Sequence, residues 1–261
     1  MLRAGTASEV GYQLGPYLAR ITRDPSHIRR AQDLRAELFG VSGSSDDKRF
    51  DAASKHVLIE EAATETLLGC LRFAPYQGAG LGQSYAAQFY ALNGLLDAGI
   101  GALEIGRFCV RDATLHPDVL RFALGIIARE VVASRTRFLF GCTSFSGTDP
   151  EKYAAGFAYL AQRHGVSKSR GPSVHDKTAA VRLSDVAPKD WSVPEALGQL
   201  PGLLRTYLGL GGWTSDHAVI DRELNTMHVF TGVDIGTIPA VRQKTLLKLA
   251  RRMVFFAPLP T

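Results

Sequence analysis

The chain has 261 residues, enough for one large core or two modest ones, and its 46% hydrophobic and 21% charged content is ordinary for a globular protein. A formal net charge of +5 favours acidic partners, and with no RNP-like aromatic motif, zinc finger or dense basic arm, nucleic acid is set aside in favour of anionic lipid or an acidic carrier protein. No run approaches the roughly 18 apolar residues that cross a bilayer, and no charged region followed by an apolar stretch opens the chain, so neither a membrane span nor a secretory signal is expected.

Residues 1–20 are mixed in character and read as peripheral. From Ser26 the spacing of Ile28, Ala31, Leu34, Leu38 and Phe39 predicts a helix, with Arg29, Arg30, Arg35 and Glu37 largely off its apolar stripe and Gly40 at its end. Gly43 to Arg49 reads as a loop. His56 to Glu60 and Leu67 to Phe73 form two short strands joined by a turn, a hairpin pattern. Residues 75–101 make a long connection with a short helix near Tyr85 to Tyr90, and connections of that length often carry function.

Glu104-Ile105-Gly106-Arg107-Phe108-Cys109-Val110 follows. Leu103, Ile105, Phe108 and Val110 mark an internal strand, yet it carries one acid and one base three positions apart. In a regular strand that spacing puts them on opposite faces, unless a bulge at Gly106 re-aims one of them. Burying charge is costly unless it is paired or used, so the pair is either a structural pin or a piece of chemistry.

Pro117 then opens a helix to about Ser134, and Phe138 to Cys142 is a buried strand. Asp149 caps a further helix with Pro150 in its first turn. Strand, helix, strand, helix in this order predicts an α/β layer with partly parallel strands. Residues 164–198 are polar, with a short strand at Ala179 to Leu183. Beyond them lie a helix over Leu200 to Leu208, strands at Ala218 to Ile220 and Met227 to Phe230, and a basic amphipathic helix over 239–256. That helix sets Leu246, Leu247, Leu249, Met253 and Val254 against Arg242, Lys244, Lys248, Arg251 and Arg252. It is a candidate for contact with an anionic membrane surface or a carrier protein, or else packs on the domain with a solvated basic face.

Cys70, Cys109 and Cys142 are too few and too far apart for a disulfide framework or a zinc-binding pair, so burial as small hydrophobes in a reducing cytoplasm is expected, and no metal site.

Leu34-Arg35 to Phe39, Phe50-Asp51, His56-Val57-Leu58, Gly69-Cys70-Leu71-Arg72, Glu104-Ile105-Gly106-Arg107 and Phe140 to Gly147 occur in one order. So do Leu200-Pro201-Gly202-Leu203-Leu204-Arg205-Thr206-Tyr207 and Asp221 through Phe230. This order, over about residues 17 to 235, resembles the ornithine-lipid N-acyltransferases, relatives of the acyl-homoserine-lactone synthases. The resemblance implies an α/β GNAT-like fold, a mixed central sheet flanked by helices, with a core over 17–198 and a C-terminal extension over 199–256. It also implies transfer of a 3-hydroxyacyl group from the phosphopantetheine thioester of acyl-carrier protein to the α-amine of ornithine, giving lyso-ornithine lipid with no other cofactor. The setting would be cytoplasmic or peripheral on the inner membrane. Two departures stand out. Asp46-Asp47-Lys48-Arg49 replaces the alternating aspartates that usually precede Phe-Asp. Arg111 to Pro117 also lacks the Gln/Arg-x-x-Gly-x-Gly loop of coenzyme-A-dependent relatives, which suits a carrier-bound donor.

Amide formation needs a deprotonated amine, a stabilised oxyanion and a thiolate that can leave. Glu104 is the candidate base, directly or through water, and Arg107 holds it or binds an acidic group of the substrate. Backbone N–H groups at Gly106 and Phe108 are candidates for the oxyanion and the pantetheine amide. Arg72 either binds the amino acid's carboxylate or pairs with Asp51. Arg35 has the same alternatives, with partner pairing or solvation the plainer one. Asp51 either recognises the substrate's cationic end or serves a turn, and His56 is expected to satisfy a backbone carbonyl. Phe73, Tyr85, Phe89, Tyr90 and Phe108 line an acyl channel or simply fill the core. The rivals are the same chemistry on another amino acid such as glutamine, an acyl-homoserine-lactone synthase, a non-catalytic module that binds acyl chains or the carrier, and a membrane-surface adaptor acting through the basic tail.

Overall fold

A computed structural model describes residues 10–39, 45–92, 95, 97, 99–112, 116–166, 171–175 and 178–256. In chain order the elements begin with β1 (Val10–Leu14), β2 (Tyr17–Thr22), α1 (Pro25–Phe39), α2 (Ser45–Ala53), β3 (Lys55–Glu61), β4 (Leu67–Gln77), β5 (Tyr90–Ala91) and β6 (Gly101–Val110). The middle of the chain forms α3 (Pro117–Ser134), β7 (Phe138–Ser146), α4 (Ala154–Arg163), β8 (Ser173–Val174) and β9 (Ala180–Arg182). Last come α5 (Val193–Gln199), α6 (Gly202–Gly209), β10 (Trp213–Asp221), β11 (Thr226–Asp234), α7 (Ala240–Arg252) and β12 (Val254–Phe256). They gather into two compact units, each discontinuous in sequence. The first is drawn from residues 1–74, 105–133 and 243–261, the second from 75–104 and 134–242.

In the first unit the strands lie in the order β12-β1-β2-β3-β4-β6, and the successive pairs from β12 to β4 are antiparallel. The stretch expected to be peripheral therefore supplies β1 and β2. β3 is buried from His56 to Glu60, and its one inward acid, Glu60, is held by Arg20 at 3.1 Å and Arg30 at 2.6 Å. Asp24 caps α1, its Oδ1 accepting from Ser26 N–H at 2.8 Å, with Pro25 in the first turn. Ala31 and Leu34 of α1 pack on Leu58, Cys70 and Cys109. The loop read from Gly43 to Arg49 is helical from Ser45, whereas Gly40, Gly43 and Ser44 lie outside the described residues. α7 seats on α3: a methyl group at Gly125 would come within 3.0 Å of Met253 Sδ and 3.2 Å of Leu249 Cγ, so the glycine permits the approach.

In the second unit the order is β6-β7-β11-β10-β9. β6 and β7 run parallel, Ala102↔Phe138 to Glu104↔Phe140, with the crossover that a parallel pair requires supplied in the chain by α3. The remaining pairs are antiparallel. Phe145, Tyr153, Phe157, Leu160, Leu204 and Val229 form one core cluster, and Tyr90, Phe138, Phe140 and Phe230 anchor another. Asp149 caps the turn before α4 as predicted. α5 was not anticipated, although Ser192 and Glu195 form a capping box at its start.

Candidate active site

Glu104 lies buried on β6 in the second unit. Its Oε1 accepts from Ala86 N–H at 2.8 Å and its Oε2 from Tyr85 N–H at 3.0 Å. The donors are the buried amides that open a 3-10 turn over Ala86–Gln88, which Ser84 stiffens by accepting from Ala87 N–H at 3.2 Å and donating to Leu81 C=O at 2.7 Å. Charge-assisted bonds to both oxygens fix the carboxylate in one orientation. A carboxylate offers about four lone-pair directions, and these two amides take one on each oxygen.

Farther along β6, in the first unit, Arg107 has φ 51 while Gly106 stays outside the left-handed region. The distortion expected at Gly106 is thus carried by the arginine, a conformation that costs a non-glycine residue about 1–3 kcal/mol. A left-handed residue within a strand turns the peptide planes on either side of it, and Phe108 N–H belongs to one of those planes.

The first unit also holds a buried charge cluster around Asp51, on α2. Asp51 Oδ1 accepts from Arg35 Nη1 at 3.0 Å and Arg72 Nη1 at 2.6 Å, and Oδ2 accepts from Arg35 Nη2 at 2.5 Å and Gln32 Nε2 at 2.7 Å. Burial opposes the charge, but Arg35, then Arg72 and Gln32, outweigh it and hold the Asp51 carboxyl well below the usual carboxylate range. His56 Nε2 donates to Asp51 C=O at 3.0 Å, which fixes the tautomer because a carbonyl only accepts. Burial keeps this imidazole below its ordinary pKa, against the pull of Asp51. Arg72 also lies over the Phe50 ring, 5.6 Å from its centroid. Gly106 borders the cluster: a methyl group there would sit 3.6 Å from Arg72 Nε, in ordinary contact.

The residues expected to bind substrate are thus brought together as Arg35, Arg72 and Asp51, with both arginines on the same carboxylate. Arg35 is buried rather than off the apolar stripe, because Asp51 waits opposite that face of α1. His56 meets the backbone carbonyl it was expected to find. Sequence reading missed Gln32, although it precedes Arg35 by three positions and so shares its helical face. Tyr85 and Ala86 were missed as donors to Glu104, since a backbone N–H leaves no signature in the sequence. Phe73 and Tyr90 are core residues, and Tyr90 donates its hydroxyl to His228 C=O at 3.0 Å. Asp46 and Asp47 fall in α2 with side chains outside the described residues, as does Ala113 to Leu115 of the stretch after β6.

Cys70 and Cys109 are both buried, with their sulfurs 3.4 Å apart on neighbouring strands, a contact that their spacing in the chain did not disclose. Among the described residues no group of three or more His, Cys, Asp or Glu is placed to hold a metal, and no helix is long and apolar enough to cross a membrane.

Residues 32–123 match the family model of the acetyltransferase (GNAT) domain. The chain is 28% identical to the L-ornithine N(alpha)-acyltransferase of Rhodobacter capsulatus, over 84% of this chain and 90% of that one. It is 27% identical to that of Rhizobium meliloti, over 90% and 86%. Among solved structures, FeeM, an N-acyl amino acid synthase from uncultured soil microbes, aligns with TM-score 0.50 and 13% identity over 90% of this chain and 97% of that one. The fold is that of the GNAT acyltransferases, and the similarity to ornithine acyltransferases runs along most of the chain.

Proposed function

We propose that the protein is an amide-forming N-acyltransferase that moves a 3-hydroxyacyl group from the phosphopantetheine thioester of acyl-carrier protein to the α-amine of ornithine. The observation that carries this reading is the extent of the likeness to L-ornithine N(alpha)-acyltransferases, 84% and 90% of the chain for two of them, with the Asp51 cluster, Glu104 and Arg107 inside the residues matched by the acetyltransferase domain model. A carrier-bound donor is supported by the net charge of +5 and by the absence of the pyrophosphate-binding glycine loop after β6.

In the reaction the amine attacks the thioester carbonyl carbon. The C–N bond forms, the tetrahedral oxyanion collapses, the C–S bond breaks, and the thiolate leaves to take up a proton. Glu104, its oxygens aimed by Tyr85 and Ala86 N–H, accepts the amine's proton directly or through a water. Backbone N–H groups at Gly106 and Phe108, flanking the left-handed Arg107, receive the oxyanion and the pantetheine amide. Asp51 acts as a positioning residue: with four donors on its carboxylate it fixes Arg35 and Arg72, the candidates to address the amino acid's carboxylate.

The test is purified protein with 3-hydroxyacyl-carrier protein and a panel of amino acids, reading free carrier thiol and product mass. Acylated ornithine is expected. A different acylated amino acid, such as glutamine, replaces the acceptor, and folded protein that releases no thiol with any acceptor refutes the enzyme.

A further inference from the structure

Between Ile235 and Thr261 the chain carries Arg242, Lys244, Lys248, Arg251 and Arg252 and not one Asp or Glu side chain. On α7, Ala250 is buried with Met253 just beyond, Leu249 and Met253 face α3 at Gly125, and Arg129 Nη1 donates to Ala250 C=O at 3.2 Å. This packing fixes which face of the helix is turned away. Lys244, Leu247, Lys248 and Arg251 stand at i, i+3, i+4 and i+7 and so share the opposite, exposed face. Arg252 closes the helix, and after Met253 comes the edge strand β12, where Val254 is 64% and Phe255 60% exposed, while Leu247 on the helix is 40% exposed. Among the described residues, four of the seven large hydrophobic side chains left exposed fall between Val241 and Phe255. Phe255 touches Tyr12 edge-on at 6.0 Å but is otherwise turned to solvent.

We propose that this surface, the outer row of α7 with Arg252, Val254 and Phe255, docks on an anionic lipid bilayer. Cations supply the long-range attraction to the headgroups, and the aliphatic and aromatic tips enter the boundary beneath them. A docked protein partner sets its register with charges of both signs and with specific hydrogen bonds. This face carries a single sign and projects side chains from two different elements, which suits a surface whose charge is uniform and whose depth is apolar.

The test is flotation of the intact chain with vesicles of phosphatidylcholine alone or containing phosphatidylglycerol, at low and high salt. Binding is expected only with phosphatidylglycerol, and it weakens with salt. The double variant Lys244→Gln, Lys248→Gln should lower vesicle partition about thirtyfold, roughly fivefold per removed cation. Phe255→Ser should lower it while leaving the salt dependence in place. Thermal melts of both variants and their acyl transfer from soluble carrier should match the parent. Equal flotation on both vesicle types, no flotation at all, or variants that float like the parent overturns the proposal. In that last case a raised KM for acyl-carrier protein in the double variant would hand the surface to the carrier.

Discussion

At the scale of single residues, two buried carboxylates do different work. Glu104 is held by backbone amides, so Glu104→Gln keeps one acceptor oxygen and the shape of the side chain. Turnover is expected to fall by about 10²- to 10⁴-fold, the usual worth of a general base, in a protein that still folds, although one buried N–H then faces the amide NH2 at a cost of about 1–3 kcal/mol. Near-normal turnover would remove Glu104 from the proton path. Asp51 instead neutralises two buried guanidinium groups. Asp51→Asn leaves them without a counter-charge and should destabilise the protein by about 3–5 kcal/mol, read by urea unfolding. The same cluster predicts an acid response in two stages. His56 is neutral in the fold, so stability is full above the unfolded value of about 6.5 and declines as the pH falls below it. Asp51 is depressed in the fold, so its contribution is full above about pH 4 and is lost on further acidification. A His56→Gln variant should flatten the first stage of a unfolding-midpoint-versus-pH curve and leave the second. A variant as pH-sensitive as the parent between pH 7 and 5 would contradict the buried neutral imidazole.

At the scale of elements, local signals were read well where they are strong. Pro117 and a sustained helical period define α3, and two apolar runs joined by a short turn define the β3–β4 hairpin. α5 was legible in Ser192-Val193-Pro194-Glu195 but lay in a polar stretch, and polarity is a poor guide against a capping box. β11 shows what pattern alone does not convey. A methyl group at Gly232 would lie 2.6 Å from Trp213 Cζ2 and 2.7 Å from Phe138 Cζ, because aromatic rings from both neighbouring strands cover the bare backbone. Gly232→Ala should therefore destabilise by about 1–3 kcal/mol even though alanine tolerates a strand, and denaturant titration checks it.

At the scale of the molecule, both units are assembled from separated pieces of chain. β12 pairs with β1, joining the last described strand to the first, and α7 covers Gly125 of α3 in the same unit. Removal of residues 243–261 should consequently lower the melting temperature by several degrees and increase binding of an apolar dye, because it strips an edge strand and uncovers a helix face. An unchanged melt would mean that α7 is an appendage. Charge substitutions on its outer face are for this reason the cleaner probe of what it binds.

The sequence by itself determined the α/β class, the positions of most helices and strands and the presence of charge inside an apolar strand. Those properties follow from hydrophobic period, capping residues and turn residues, all of which act over a few positions. It also placed Arg35, Asp51, Arg72 and Glu104 among the residues worth attention, since a charge in an apolar context needs a partner. Only the tertiary structure decided who those partners are. Strand register put Cys70 against Cys109, the approach of α2 to α1 and β4 joined two arginines through one aspartate, and a short turn in the connection before β6 offered Glu104 its two amides. Such pairings depend on long-range geometry and, for backbone donors, on atoms that every residue carries alike.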